Sequence, residues 1–106
     1  DGNGLAIATT DSNPIRFAIG DTERMQINTS GHFIPVTDNA YDLGTTALRW
    51  RNVYTTDLHL SNEGKPEGNE VDGTTGNWTI QEGEENLYII NNKSGKKYKF
   101  ALEEIE

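Results

Sequence analysis

The chain contains no cysteine. That excludes a disulfide framework, a thiol nucleophile and a thiolate metal site. Cations are scarce: Lys plus Arg number 9 against 17 Asp plus Glu, a net charge of −8. Nothing at that balance offsets repulsion from a polyanion, so no nucleic acid is expected as a partner. No apolar run approaches the roughly 18 residues of a membrane span, and no membrane insertion is expected. Large apolar side chains are also few. Leu, Ile, Val and Phe make up 22 of the 106 residues, beside the disorder boundary of roughly 20%. The chain begins at Asp1, which predicts a piece of something longer.

Asn, Gly and Thr fill part of that gap, with 34 residues among them. They suit turns and strands and are poor in helices. Fixing the backbone costs roughly 1–2 kcal/mol per residue. A small domain offsets this with disulfides, metals or oligomerisation. With no cysteine and few metal ligands, oligomerisation is the expected remedy.

The apolar residues alternate. Leu5 and Ile7 flank Ala6; Ile15, Phe17 and Ile19 flank Arg16 and Ala18; Met25 and Ile27 flank Gln26. Leu58 and Leu60 flank His59, and Trp78 and Ile80 flank Thr79. Period two predicts strands with one buried and one wet face, which argues against disorder. Turn signals separate them: Asn3-Gly4, Asp11-Ser12-Asn13-Pro14, Gly20-Asp21, Thr29-Ser30-Gly31 and Asp38-Asn39. Short strands at that spacing predict an all-β meander. Asp42 to Tyr54 has no clean alternation, and a bend or one helical turn capped by Thr45 or Thr46 is expected there. Trp50, beside Arg49 at that bend, is expected to be mostly buried. Residues 61–77 hold Gly64, Pro66, Gly68, Gly73 and Gly76. They predict a long loop that is either functional or packed on a neighbour. The chain then divides into a β-rich segment, 1–60, and a loop plus terminal hairpin, 61–106.

The hairpin is the most regular part. Leu87-Tyr88-Ile89-Ile90 and Tyr98-Lys99-Phe100-Ala101-Leu102 flank Asn92-Lys93-Ser94-Gly95. A type I turn with Gly95 left-handed would give a bulged hairpin pairing Ile90 with Tyr98 and Tyr88 with Phe100. A four-residue loop would pair Ile89 with Tyr98 and Leu87 with Phe100. The first is favoured because it gives Gly95 a backbone role. It puts Tyr88, Ile90, Tyr98 and Phe100 on one face, with Leu87 and Ile89 on the other. One hairpin covers neither, so a partner is expected.

Chemistry-bearing groups are sparse. Glu82, Glu84 and Glu85, and Glu103, Glu104 and Glu106, form acidic clusters, but a glycosidase pair needs two carboxyls set across a cleft in contrasting environments. No G-x-S-x-G and no phosphate loop occurs. His32 and His59 are the only imidazoles. On a threefold axis, one per chain would supply three ligands to a metal, although surface histidine is the plainer reading. No cofactor is expected. The aromatics are read first as core anchors and second as a sugar platform.

Asp38-Asn39-Ala40-Tyr41-Asp42-Leu43-Gly44, then Arg49-Trp50 and Asn52-Val53-Tyr54, resemble a segment that recurs in bacteriophage tail-fibre and virion appendage proteins. Upstream, Asn13-Pro14-Ile15-Arg16-Phe17 and Thr22-Glu23-Arg24-Met25 through Gly31 resemble an adjoining unit of those fibres. Downstream, Thr55 to Asn62 and Asp72 to Leu102 are similar to the ends of structural proteins in marine T4-like phages. The resemblance implies an intertwined, all-β homotrimer at the virion surface, extracellular when mature, with further fibre upstream. It implies structural or adhesive work and no catalysis. The self-cleaving chaperone domain that often ends such fibres is not represented, so autoproteolysis is not carried over.

Two readings follow. In the first, this is a trimerising structural end. Its trimer or core candidates are Ile15, Phe17, Ile19, Met25, Ile27, Trp50, Tyr88, Ile90, Tyr98 and Phe100. In the second, it is a tip that recognises a host cell-surface glycan, with Trp78, Asn77 and Asp72 as contacts because adhesion tends to live on loops. A glycan-degrading enzyme is disfavoured, since no acid pair is placed.

Overall fold

The computed structural model describes residues 3–106. All regular structure among them is β-strand. The chain divides into two units after Thr45, each holding one antiparallel meander.

In the first unit β1 (Ile15–Ile19), β2 (Thr22–Ile27) and β3 (Phe33–Pro35) pair in sequence order. Gly20 supplies the left-handed residue of the first turn, with φ 61°. In the second turn, the Asn28 Oδ1 accepts from the Ser30 and His32 amides at 3.1 and 2.9 Å. The register aligns Ile15, Ile27 and Phe33 in one row and Phe17, Met25 and Pro35 in the next. Phe17 and Phe33 meet edge to face at 6.0 Å. Pro35 lies on an edge strand, where a missing N–H is tolerated. Alternation alone does not reveal a strand of three residues ending in proline, such as β3. The register shifts by one residue after Phe17, leaving Arg24 as the extra residue of a bulge. Its guanidinium lies 5.5 Å from the centre of the Tyr41 ring and donates to the Tyr41 hydroxyl at 3.2 Å.

Leu5 and Ile7 form no strand and are 92% and 71% exposed. Alternation makes a segment amphipathic, but a strand also needs a neighbour for its N–H and C=O groups. The stretch expected to bend or turn does bend, at residues 46–48, without completing a helical turn.

In the second unit β4 (Leu58–Ser61), β5 (Asn77–Glu82), β6 (Leu87–Asn91) and β7 (Lys97–Lys99) also pair in order. β4 thus joins the C-terminal sheet, and the division falls at residue 45 where the sequence suggested 60.

The terminal hairpin adopts the four-residue register. Ile89 opposes Tyr98, Tyr88 opposes Lys99, and the Phe100 amide donates to the Leu87 carbonyl at 3.0 Å. The expected pairing of Ile90 with Tyr98 is therefore incorrect. Asn91 and Asn92 explain why. The Asn92 amide donates to the Asn77 carbonyl at 2.8 Å, and its Nδ2 donates to Asn77 Oδ1 at 2.9 Å and Thr79 Oγ1 at 2.8 Å. These bonds hold Asn92 against β5. Asn91 then closes the loop: its Oδ1 accepts from Lys93 N and Ser94 N at 3.0 and 3.2 Å. Gly95 keeps its left-handed role, φ 78°, inside the longer loop.

Thr79 is the one buried polar residue among those described, at 3% exposure, and no apolar residue is buried. Thr79→Val removes the Oγ1 acceptor of Asn92 Nδ2 while keeping the side-chain shape. It should cost about 1–3 kcal/mol, read from the midpoint of urea unfolding.

Candidate functional site

Directly opposed residues in a sheet share a face, so the register sorts the second sheet. One row crosses all four strands: Leu58, Ile80, Ile89 and Tyr98. Leu60 and Trp78 lie beside it, as do Leu87 and Phe100. Trp78 and Tyr98 meet at 5.9 Å, tilted by 38°. This face is apolar, yet Leu58, Leu60, Leu87 and Tyr98 remain exposed on it.

The opposite face carries His59, Thr79, Ile90 and Lys97 in one row, and Gln81, Tyr88 and Lys99 in another. A polar network runs along it. Lys93 Nζ lies 3.5 Å from Glu63 Oε2, the Asn77 amide donates to Glu63 Oε1 at 3.1 Å, and Asn92 joins Asn77 to Thr79. Thr79 Oγ1 also sits 2.9 Å from His59 Nδ1. Tyr88 and Ile90 thus belong to the polar face, while Tyr98 and Phe100 belong to the apolar one. The expectation that these four share a face is incorrect, because moving the register by one residue moves one strand's side chains to the other side.

The other assembly candidates fall in two groups. Ile15, Met25 and Ile27 are half-buried in the first sheet, and Phe17 is more open. Ile19, at the strand end opposite Thr22, is 72% exposed. Trp50, expected to be mostly buried, is 65% exposed. It stands in irregular chain, and the neighbouring Arg49 is turned to the Thr46 carbonyl at 3.3 Å.

Residues 62–76 leave and rejoin the sheet at the Ser61–Asn77 pair, the topology of an Ω-loop. Asn62 closes the neck: its Oδ1 accepts from the Gly76 amide at 2.7 Å. Asn69 staples the interior. Its Oδ1 accepts from the Val71 and Asp72 amides at 2.7 and 2.9 Å, and its Nδ2 donates to Asp72 Oδ1 and the Thr74 carbonyl at 2.7 and 2.9 Å. Asp72 Oδ1 further accepts from the Thr74 amide and hydroxyl at 3.1 and 2.8 Å. Gly68 is buried with φ 70°, and a Cβ there would fall 2.3 Å from the Gly73 carbonyl oxygen.

The three receptor candidates are therefore not brought together. Asp72 is committed to the loop's own bonds. Asn77 lies on the polar face within the network. Trp78 lies on the apolar face, at a cleft of about 440 Å³ with Leu60, Asn62, Thr74, Thr75 and Gly76 along its walls. Sequence reading missed Asn62, Asn69, Thr79 and Asn92; their only signal was the abundance of Asn and Thr around the glycines. Among the described residues, no group of three or more His, Cys, Asp and Glu is placed to hold a metal. His32 lies at the end of the second turn of the first sheet.

The chain matches no protein-family model, no curated protein and no solved structure.

Hydrogen bonds from Asn69, then from Thr74, hold the Asp72 carboxyl below its ordinary value. The Asn77 amide does the same for Glu63, with Lys93 adding to it. A carboxylate with a depressed folded pKa contributes its stabilisation above the unfolded value, about pH 4, and loses it as pH falls through the folded value. Amide exchange at Val71 and Thr74 should therefore accelerate below about pH 4, beyond the intrinsic pH dependence. Gly68→Ala should open the loop, seen as exchange across residues 62–76. Gly73→Ala, with φ 74° but open space around it, should cost only about 1 kcal/mol of left-handed strain.

Proposed function

We propose that this chain is a structural, trimerising segment of a bacteriophage tail fibre, joined to more fibre upstream and working at the virion surface without catalysis. The observation that carries the reading is the four-strand apolar row of Leu58, Ile80, Ile89 and Tyr98, in a chain without a buried apolar residue among those described. A sheet with one apolar face gains stability when that face leaves water, by about 1.5–3 kcal/mol per large side chain fully covered. Further copies of the chain supply that cover in a closed symmetric assembly. The threefold count comes from the fibre-like segments around Tyr41 to Tyr54 and Ile15 to Gly31. The polar face, with its Lys93–Glu63–Asn77–Asn92–Thr79–His59 network, suits water.

A second reading rests on the cleft at Trp78. An indole beside the Asn62 amide and the Thr75 hydroxyl suits a glycan, and a compact Ω-loop is a frequent carrier of binding groups. Immobilised host-type glycans test it: retention of the chain that is lost in Trp78→Ala supports a binding tip.

Multi-angle light scattering tests the main reading. The expected mass is three times the 11.8 kDa of one chain. Ile89→Lys, in the middle of the row, should shift the chain to monomer or to aggregate. A parent chain that is monomeric and unfolds cooperatively at a concentration-independent Tm refutes the assembly.

A further inference from the structure

The apolar face is not the only open feature of the second sheet. β7 is an edge strand with the sequence Lys97-Tyr98-Lys99. Its outer backbone groups have no strand beside them in the sheet order. Lys97 and Lys99 lie on the polar face and Tyr98 on the apolar one. Neither lysine is within ion-pair distance of a carboxylate among the described residues, although the chain carries a net charge of −8. After β7 and Phe100 comes Ala101-Leu102-Glu103-Glu104-Ile105-Glu106, which is irregular and exposed throughout, with Ile105 at 87%.

The two segments are complementary at period two. Placing Ile105 opposite Tyr98 puts Glu104 and Glu106 opposite Lys97 and Lys99. This holds for either strand direction: a parallel strand pairs Glu104 with Lys97, and an antiparallel one pairs it with Lys99. In both cases the apolar side chain extends the row of Leu58, Ile80, Ile89 and Tyr98, and the carboxylates reach the unpaired lysines.

The same chain is badly built to make this pairing itself. Folding back antiparallel in that register would leave Ala101 and Leu102 as a two-residue turn between Phe100 and Glu103. Such turns need left-handed residues such as Asn, Asp or Gly. A parallel return needs a crossover of a dozen or more residues.

We propose that residues 103–106 of one copy add as a fifth strand to the β7 edge of another copy. The C-terminal tail is thereby exchanged between chains, and Glu104 and Glu106 recognise Lys97 and Lys99. The exchange rests on the assembly reading above. It goes beyond that reading by naming a second contact, at the edge of the sheet rather than on its face. Edge strands are natural sites for strand addition, with backbone bonds supplying affinity and alternate side chains supplying register.

The absence of native cysteine makes the test clean. Two full-length single variants, Tyr98→Cys and Ile105→Cys, are mixed, dissociated, reassembled and oxidised. Directly opposed strand residues lie about 4.5–5.5 Å apart at Cα, within disulfide reach. The expected result is a cross-linked heterodimer on a non-reducing gel, formed well above either homodimer. As an independent measure, K97E/K99E and E104K/E106K should each weaken self-association about tenfold, and the fourfold charge swap should restore it. An oligomer that yields no heterodimer and ignores the charge swap overturns the exchange and leaves the assembly reading standing. A Tyr98→Cys/Ile105→Cys double variant that closes only within its own chain also overturns the exchange. A parent chain that is monomeric by light scattering overturns both.

Discussion

Three hydrogen bonds from Asn92 govern the C-terminal half. Its amide reaches the Asn77 carbonyl, and its side chain spans Asn77 Oδ1 and Thr79 Oγ1. Beside it Asn91 closes the last hairpin: its N–H donates to the Lys96 carbonyl, its carbonyl accepts from Gly95, and its Oδ1 accepts from Lys93 and Ser94. That places Tyr98 opposite Ile89, and so on the same face as Ile80 and Leu58. A hairpin one residue shorter would turn over β7 alone, sending Tyr98 to the face of Thr79 and Ile90 and sending Lys97 and Lys99 to the apolar face. Thr79 can serve as the fixed acceptor because it is almost fully out of water, at 3% exposure. A polar atom there bonds within the protein or costs about 1–3 kcal/mol.

The Ω-loop is held by the same residue type used in another way. Asn62 and Asn69 accept backbone N–H groups that would otherwise have no internal partner. Gly68 and Gly73 provide the left-handed backbone the path requires. The loop is therefore shaped by hydrogen bonds rather than by apolar packing. Its neck, at Asn62 and Gly76, adjoins the cleft beside Trp78. Glu63 ties the loop's start to Lys93 in the hairpin loop and to Asn77, so the two most polar loops of this unit form one structure.

The strands were legible where two apolar residues sat two apart and a turn signal followed, as at Ile15–Ile19, Leu58–Ser61 and Asn77–Glu82. The all-β meander follows from those patterns and holds in both sheets. Leu5 and Ile7 show the limit of the signal: they share the period but form no strand. The hairpin register was not legible because both options satisfied Gly95. The decision rested on Asn91, whose backbone and Oδ1 close the longer loop, beside an Asn92 held by Thr79, a residue distant in sequence whose meeting with it no local pattern announces. Trp50 misled for a related reason. Its size suggested a core anchor, but size implies burial only where a layer exists to bury it. In the first sheet Ile15 with Ile27 and Phe17 with Met25 share rows as alternation implied, while Ile19, past the bulge, opposes Thr22; the candidates in the last hairpin are divided between two faces.

A single sheet without a buried apolar side chain also has a calorimetric consequence. The heat-capacity increase on unfolding comes from apolar surface newly given to water, about 0.45 cal/K/mol per Å², and polar surface subtracts from it. Much of the apolar surface of this chain is already wet before it unfolds, so the lone chain has little to add. Its stability curve should be shallow, without the strong dome of a packed domain, and cooling should do it little harm. Any molecule that covers the row from Leu58 to Tyr98 brings the curvature with it. The temperature of greatest stability is then a property of the covered interface more than of the chain.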